Sequence, residues 1–533
     1  MSSSLLGKEA VSPASLQVSS EAAPQFRQHM GRISRHSTIF FAGTIFTAAA
    51  GYSFKIYLAR YLGAEALGIY ALGMTIVGFL SLFGALGIPQ SVVRFVATYM
   101  ATGRMDQLRG FILWGALFLL FLNAVLGGAL LFAGRWISVR FYHTPALRQY
   151  LPLFALVMFF GAFTGFLGWV VVGYKQVARR TVITDFIGTP LMMILTLALV
   201  AAGFGLWGYI FAQVVSAIAV LALLLIVVWK LTPKEARAVS GSWAPPEREV
   251  VWFAAVLFGM SVLAFFASQA DKIFIGFYLN PRQVGIYSVA AALVAFVPAI
   301  LQSVNQIFSP TIADLHTRGD HDLLARIYRT LTKWTLGLTV PLAAAMIVFS
   351  RPLMRVFGPD FEPGWPILII GTLGQLVNCG VGSVGYLLLM SGHERRMMRI
   401  QAVTAALMVG LNVLLIPRWG IVGAALAAAI TNVLTNAWYL LDVRKTLGLL
   451  PFTRSYLRLA LPVAATLLVL AVARAAFRPG RLELPVMAAG LALAYATFIS
   501  TALLRGLDAD DRLVTDAIWA RLRGRFQRAE ADA

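Results

Sequence analysis

Lys55 is the clearest charged residue inside a long apolar stretch of this chain, and Asp271 and Lys272 stand together at the end of another. Ionisable groups at membrane depth are costly and by default mark the path of an ion or a charged ligand. Two lysines favour an anion, whereas a carboxylate binds a cation or carries a proton. Three readings of the trio stand side by side: cations facing a cavity, lysine stems reaching for the interface, and a salt bridge pairing two helices. Arg94 lies outside the apolar stretches in a basic segment with Arg104 and Arg109. Uncharged polar residues complete the inventory. Gln302 and Gln306 are four apart on one helix face, Asn378 follows Gln375 by three, and Gln269, Asn305, Asn412, Asn432 and Asn436 are scattered nearby. Such residues either meet a polar ligand or bond between helices, at about 1 kcal/mol or less each.

Other chemistries find no support. No G-x-x-x-x-G-K-[ST] run exists, so no P-loop nucleotide site is expected. None of the six histidines falls inside an apolar stretch, and no His, Cys or carboxylate spacing suggests a metal. The single Cys379 excludes an internal disulfide framework. No cofactor is expected. The segments between apolar stretches on one side carry only the scattered acids Glu65, Asp360, Glu362 and Glu483, which argues against a membrane glycosyltransferase or polymerase and against an enzyme altogether.

The elements that position these residues follow from composition. The 533 residues are 59% hydrophobic and 13% charged, with mean hydropathy +0.78, the balance of a polytopic membrane protein. A hydrocarbon core of about 30 Å needs about 20 apolar residues in a helix, because lipid offers no partners to free backbone groups. Fourteen stretches qualify: 38–58, 66–88, 110–134, 150–173, 184–204, 206–229, 250–271, 284–307, 333–350, 364–390, 398–416, 419–441, 457–474 and 482–504. Across this map 31 Lys and Arg fall on the side of the two tails and 12 on the other, which predicts cytoplasmic termini. The net charge of +21 is thus largely this asymmetry, and no nucleic-acid partner is needed to explain it. The arginine-rich segments 94–109 and 318–333 read as basic interfacial helices, and Asp511 to Arg528 as an amphipathic helix on anionic lipid.

One stretch occurs twice. Lys55 to Tyr70 and Lys272 to Tyr287 align without a gap and share seven of sixteen residues, including the Gly-Ile-Tyr that ends each. The correspondence continues from Gly168 to Gly385, from Arg179-Arg180 to Arg395-Arg396, and from Gly205/Gly208 to Gly420/Gly423. This is an internal duplication. With six helices per copy the repeats run parallel, related by an axis along the membrane normal. The expected architecture is all-α: two six-helix lobes facing a central cavity, with two further C-terminal helices. The expected boundaries are a disordered cytoplasmic tail over 1–35, a first lobe over 36–230, a linker over 231–249, a second lobe over 250–443, the last two helices within 444–505, and a cytoplasmic tail over 506–533.

The chain resembles the Wzx-like oligosaccharide-lipid flippases, of the superfamily that also contains multidrug extruders and the peptidoglycan precursor flippase. The matching residues are Arg60-Tyr61-Leu62-Gly63 with Gly68-Ile69-Tyr70, Asp271 to Gly276, Val284 to Tyr287, Phe357-Gly358, and Asn412 to Pro417 leading to Gly420 and Gly423. The resemblance implies export of a polyprenyl-diphosphate oligosaccharide across the bacterial cytoplasmic membrane by alternating access, for cell-surface polysaccharide or O-antigen assembly. Lys55, Lys272 and Arg94 would then attract the diphosphate, Gln302, Gln306 and Asn378 would meet sugars, and Asp271 would take a coupling proton or sodium ion. Membrane lipids and a polymerase or export machinery are the implied partners. An ion-coupled extruder of drugs or organic cations is the rival reading, with Asp271 as its carboxylate. A polysaccharide polymerase is a third, disfavoured by the short outer segments. The arginine-rich first helix associated with peptidoglycan precursor flipping is not found.

Overall fold

A computed structural model of the chain describes residues 51–238, 248–452, 454–476 and 483–504. The N-terminal tail, most of the first apolar stretch and the amphipathic segment after Asp511 lie outside them. The chain divides into a unit that ends at Leu58 and a much larger one that begins at Ala59. Of the first, Gly51 to Leu58 are described. They are helical, with Phe54 and Leu58 buried and Lys55 exposed.

The described residues are all helix and turn. Among the described residues ten helices are long and apolar enough to cross a membrane, and a bent pair adds an eleventh. The helices are α1 (Gly51–Ala85), α2 (Ile88–Thr102), α3 (Met105–Arg135), α4 (Leu151–Gly173), α5 (Val177–Ala201), α6 (Gly205–Leu231), α7 (Arg248–Tyr278), α8 (Pro281–Val294), α9 (Ala299–Arg318), α10 (His321–Val348), α11 (Trp365–Val381), α12 (Val384–Met390), α13 (Glu394–Leu447), α14 (Ala460–Ala476) and α15 (Glu483–Leu504), of which α2, α12 and α14 are too short to count as spans and α8 with α9 is the bent pair. Several apolar stretches read from sequence fall on single helices, but the described end of the first stretch and most of the second share α1, and the stretch over 364–390 is broken between α11 and α12 at Gly382, φ 71°. α13 is instructive: at ~1.5 Å per residue its 54 residues would reach about 81 Å, far beyond a bilayer core. Gly420, at φ 57° and ψ −138°, breaks it into two pieces near the expected turn. Only a residue without Cβ takes that conformation without strain. Gly63, at φ 79°, interrupts α1 in the same way. The apolar stretch over 284–307 becomes α8 and α9, bent by 49° at the turn preceding Ala299. Pro298 removes a backbone donor there.

Both basic segments depart from expectation. Residues 321–333 form no separate interfacial helix, because Gly319 turns at φ 74° and Asp320 caps Leu323 N at 3.1 Å, so basic and apolar residues run on as the single helix α10. The basic segment 94–109 is not one helix either: Arg94 lies on α2, started by Pro89 after Gly87 at φ 73°, Gly103 at φ 69° ends that helix, and Arg104 and Arg109 open α3.

Packing within the first half joins α4 to α2, α3 and α6, and α5 to α6. In the second half α13 packs on α7 and α11, while α14 and α15 pack on each other and on α10. Between the halves, α1 runs antiparallel along α7. Leu72 meets Gly276, Phe79 meets Phe265 at 5.8 Å and Phe83 meets Phe258 at 5.7 Å. Gly87 then abuts the Ala254 backbone, and Arg94 of α2 pairs with Glu249. At one end of this seam the duplicated glycines touch each other: a Cβ on Gly68 would strike the Pro281 carbonyl, and one on Gly285 the Ala64 carbonyl. Nearby, Arg60 donates to the Val356 carbonyl at 2.7 Å.

Candidate functional site

Asp271 lies in the last third of α7, beyond the Phe-rich stretch, and is buried. Its Oδ2 accepts from the Tyr287 hydroxyl of α8 at 2.6 Å, and its Oδ1 accepts from the Lys272 backbone N–H at 2.8 Å. A buried carboxylate needs such donors, since an unpaired one in an apolar interior would be severely penalised. The carboxylate borders a cavity of about 190 Å³ enclosed by α7, α8, α11 and α13. Alanines 291, 295, 425, 428 and 429 and Gly371 leave the space open, and Gln375 and Asn432 are its other polar walls. A polar chain extends from it. Asn378 Nδ2 donates to Gln375 Oε1 at 3.1 Å, Asn432 Nδ2 to the Gly374 carbonyl at 3.2 Å, and Asn436 Nδ2 to Asn432 Oδ1 at 2.8 Å. Such a carboxylate with oxygen-bearing neighbours can hold a proton or a small cation.

Lys272 points elsewhere. One residue along a helix is a turn of about 100°, so adjacent side chains cannot share a face. Lys272 instead follows Phe265 by seven and precedes Gly276 by four, which sets it on the face of α7 that meets α1. Its ammonium donates to Gln269 Oε1 at 2.8 Å.

The other sequence candidates are dispersed. Lys55 is exposed, with its ammonium 4.9 Å from the Tyr52 ring centre. Arg94, at the opposite end of the α1–α7 seam from Gly68, pairs with Glu249 and lies 4.9 Å from the Phe253 ring. Gln302 and Gln306 share an exposed face of α9, as their spacing requires. The structure thus brings Asn378 into the polar chain around Asp271, sets Lys272 on the neighbouring face of the same helix, and leaves Arg94, Gln302 and Gln306 apart from that cavity.

A family model described as polysaccharide biosynthesis protein matches residues 57–362, more than half of the chain. The chain belongs to that family. The chain is also similar to a Haloferax volcanii protein named Probable flippase AglR, 24% identical over 444 residues, covering 79% of this chain and 86% of that one. The succinoglycan biosynthesis transport protein ExoT of Rhizobium meliloti is 23% identical over 314 residues, 58% of this chain and 60% of its own length. Among solved structures, the inward closed conformation of the lipid II flippase MurJ superposes with TM-score 0.69 at 16% identity, covering 87% of this chain and 98% of that one. An inward-facing multidrug resistance MATE transporter gives TM-score 0.59 at 14% identity, over 74% and 94%. This polysaccharide biosynthesis protein therefore has the fold of membrane transporters and is itself a multi-pass membrane protein.

The sequence reading singled out Asp271 but not Tyr287, its hydrogen-bond partner. Tyr287 closes the duplicated stretch, and its equivalent Tyr70 accepts from Gln213 Nε2 at 2.7 Å. The identity of the two tyrosines was the available signal. Sequence alone gives no sign that one would face an acid and the other an amide.

Proposed function

We propose that this family member is a flippase that moves a polyprenyl-diphosphate-linked oligosaccharide from the cytoplasmic to the outer leaflet of a bacterial cytoplasmic membrane. It would act in cell-surface polysaccharide assembly, by alternating access of two six-helix lobes with both termini cytoplasmic. The observation that carries the reading is the place of Lys272, a cation on the face of α7 where the two halves meet. A multiply charged diphosphate passing between the halves needs positive charge there, and in a low-dielectric setting each such charge counts for far more than in water. Lys55, its repeat mate, would supply a second cation, and Arg94 one at the cytoplasmic end of the seam. The exposed Gln302 and Gln306 and the nearby Asn378 would bond sugar hydroxyls. The similarity to proteins named as a probable flippase and a succinoglycan biosynthesis transport protein supports a flippase in polysaccharide assembly.

The buried Asp271 favours a coupling role: proton or cation binding in the second-half cavity would drive the change between the two open states. The same carboxylate is the one observation in favour of a cation extruder. The decisive experiment is lipid analysis of a deletion strain complemented with wild type or with a Lys55→Gln, Lys272→Gln double variant. Accumulation of a polyprenyl-diphosphate oligosaccharide in both the deletion and the double variant is expected. Normal export by a well-inserted double variant removes the lysines from the mechanism, and sensitivity to organic cations without lipid accumulation replaces the flippase by the extruder.

A further inference from the structure

A second cavity, about 380 Å³, lies in the first half between α4, α5 and α6. At ~30 Å³ per water it has room for about a dozen waters, or for a compact headgroup. Gly161, Gly165 and Ala217 make the room. The backbone around it is specialised as well. Val182–Gly188 is a π-helical turn within α5, a widening of the helix that recurs at functional sites. The Ser216 hydroxyl of α6 donates to the Gly188 carbonyl at 2.8 Å and holds that turn against its neighbour.

The charged side chain on this cavity is Arg180. Its guanidinium lies 4.5 Å from the centre of the Trp169 ring, and a Cβ on Gly168 would sit 3.2 Å from its Nε. Trp169 and the bare backbone at Gly168 therefore form a seat that fixes the planar group. No carboxylate lies within 4 Å of it among the described residues, and the neighbouring Asp185 accepts from the Thr184 hydroxyl at 2.9 Å instead. The second half has no copy of this seat. A Cβ on its matching Gly385 would sit 3.6 Å from the Tyr439 ring and not beside an arginine, and Arg396 is exposed. A guanidinium that is half-buried, held flat and without a carboxylate, at the wall of a membrane cavity, has its forked donors free for two oxygens of one phosphate.

We propose that the first-half cavity is a phosphate subsite in which Arg180, seated on Trp169, binds the phosphate-ester headgroup of an anionic lipid. Gln213, whose amide also donates to Tyr70, borders the same space and would meet the remainder of the headgroup. Resting on the flippase reading, the lipid is the polyprenyl-diphosphate substrate, received here by the first half. Bulk anionic phospholipid presents the same chemistry.

The test uses the full chain in nanodiscs of zwitterionic lipid, with binding of undecaprenyl diphosphate, undecaprenol and phosphatidylglycerol measured by thermophoresis. Wild type is expected to bind the diphosphate at least tenfold more tightly than the alcohol. Arg180→Gln should erase that preference, and Arg180→Lys should retain only part of it, since an ammonium cannot make the forked contact. Trp169→Leu, which leaves the charge but removes the seat, should weaken diphosphate binding several-fold and serves should Arg180→Gln not fold. Undiminished diphosphate preference in a folded Arg180→Gln protein overturns the subsite. Equal losses for phosphatidylglycerol and diphosphate support the subsite and make bulk lipid its occupant. Tight Arg180-dependent binding without translocation in liposomes supports it too, while ending the flippase reading.

Discussion

Tyr70 and Tyr287 occupy the same place in a duplicated stretch, yet one accepts from the amide of Gln213 and the other donates to the carboxylate of Asp271. Position for position, Asp271 corresponds to Phe54. The cavities nearby diverge with them: arginine lines the one in the first half and aspartate the one in the second. The two matching stretches thus keep the same tyrosine while the groups around it differ in charge. What the two copies share should govern folding and movement, and what they do not share should govern which ion or ligand each holds.

The shared part is the place to expect the largest effect. Gly68 and Gly285 meet backbone to backbone, so Gly285→Ala must push the halves apart where neither carbonyl can yield. Overpacking of this kind costs about 1–3 kcal/mol even against movable side chains. Export should be lost and thermal stability in detergent lowered, while Gly410→Ala, with open space around it, changes neither. Full export by Gly285→Ala would show that the crossing tolerates separation.

The unshared part comes next. Asp271→Asn should lower transport in proteoliposomes at least a hundredfold and remove its dependence on the ion gradient. Tyr287→Phe takes a donor from a buried carboxylate, a loss of about 1–3 kcal/mol, or roughly tenfold or more. Tyr70→Phe removes only a neutral hydrogen bond, about 1 kcal/mol, and should lower transport less than fivefold. Equal effects from the two tyrosines would erase the asymmetry between the copies.

How much of this was legible follows from the kind of signal each feature leaves. Apolar stretches carry helix place in their own composition, because lipid forbids the alternatives, and so α3, α4, α6 and α7 overlie the stretches at 110–134, 150–173, 206–229 and 250–271. The break at Gly420 was visible as a short Gly-containing turn. Register between helices was not visible. That Lys272 faces α1 while Asp271 faces α11 and α13 depends on how α7 is rotated, which an all-round apolar helix does not disclose. The pairing of Arg94 with Glu249, residues 155 apart in the chain, was likewise hidden. Arg180 stands out in the sequence as half of a repeated basic pair, but its seat on Trp169 needs the local turn of α5.

The smallest effect belongs to the Arg94–Glu249 pair at the end of the seam. Their side chains are 52% and 58% exposed, so the ion pair is screened by solvent and salt and contributes about 0.2–1 kcal/mol. Thermal stability of Arg94→Gln and of Glu249→Gln should therefore stay within error of wild type. Transport separates two roles for the arginine. If Arg94 attracts the diphosphate, Glu249 competes with the substrate for it, and Glu249→Gln should leave the apparent KM unchanged or lower it while Arg94→Gln raises it about threefold. If the pair only fastens α2 to α7, both single changes act alike and the double change adds nothing to either. Measuring KM for the four proteins at low and high salt distinguishes these outcomes, because an attraction between an exposed cation and a diphosphate weakens as salt rises, whereas a contact between helices that is already weak has little left to lose.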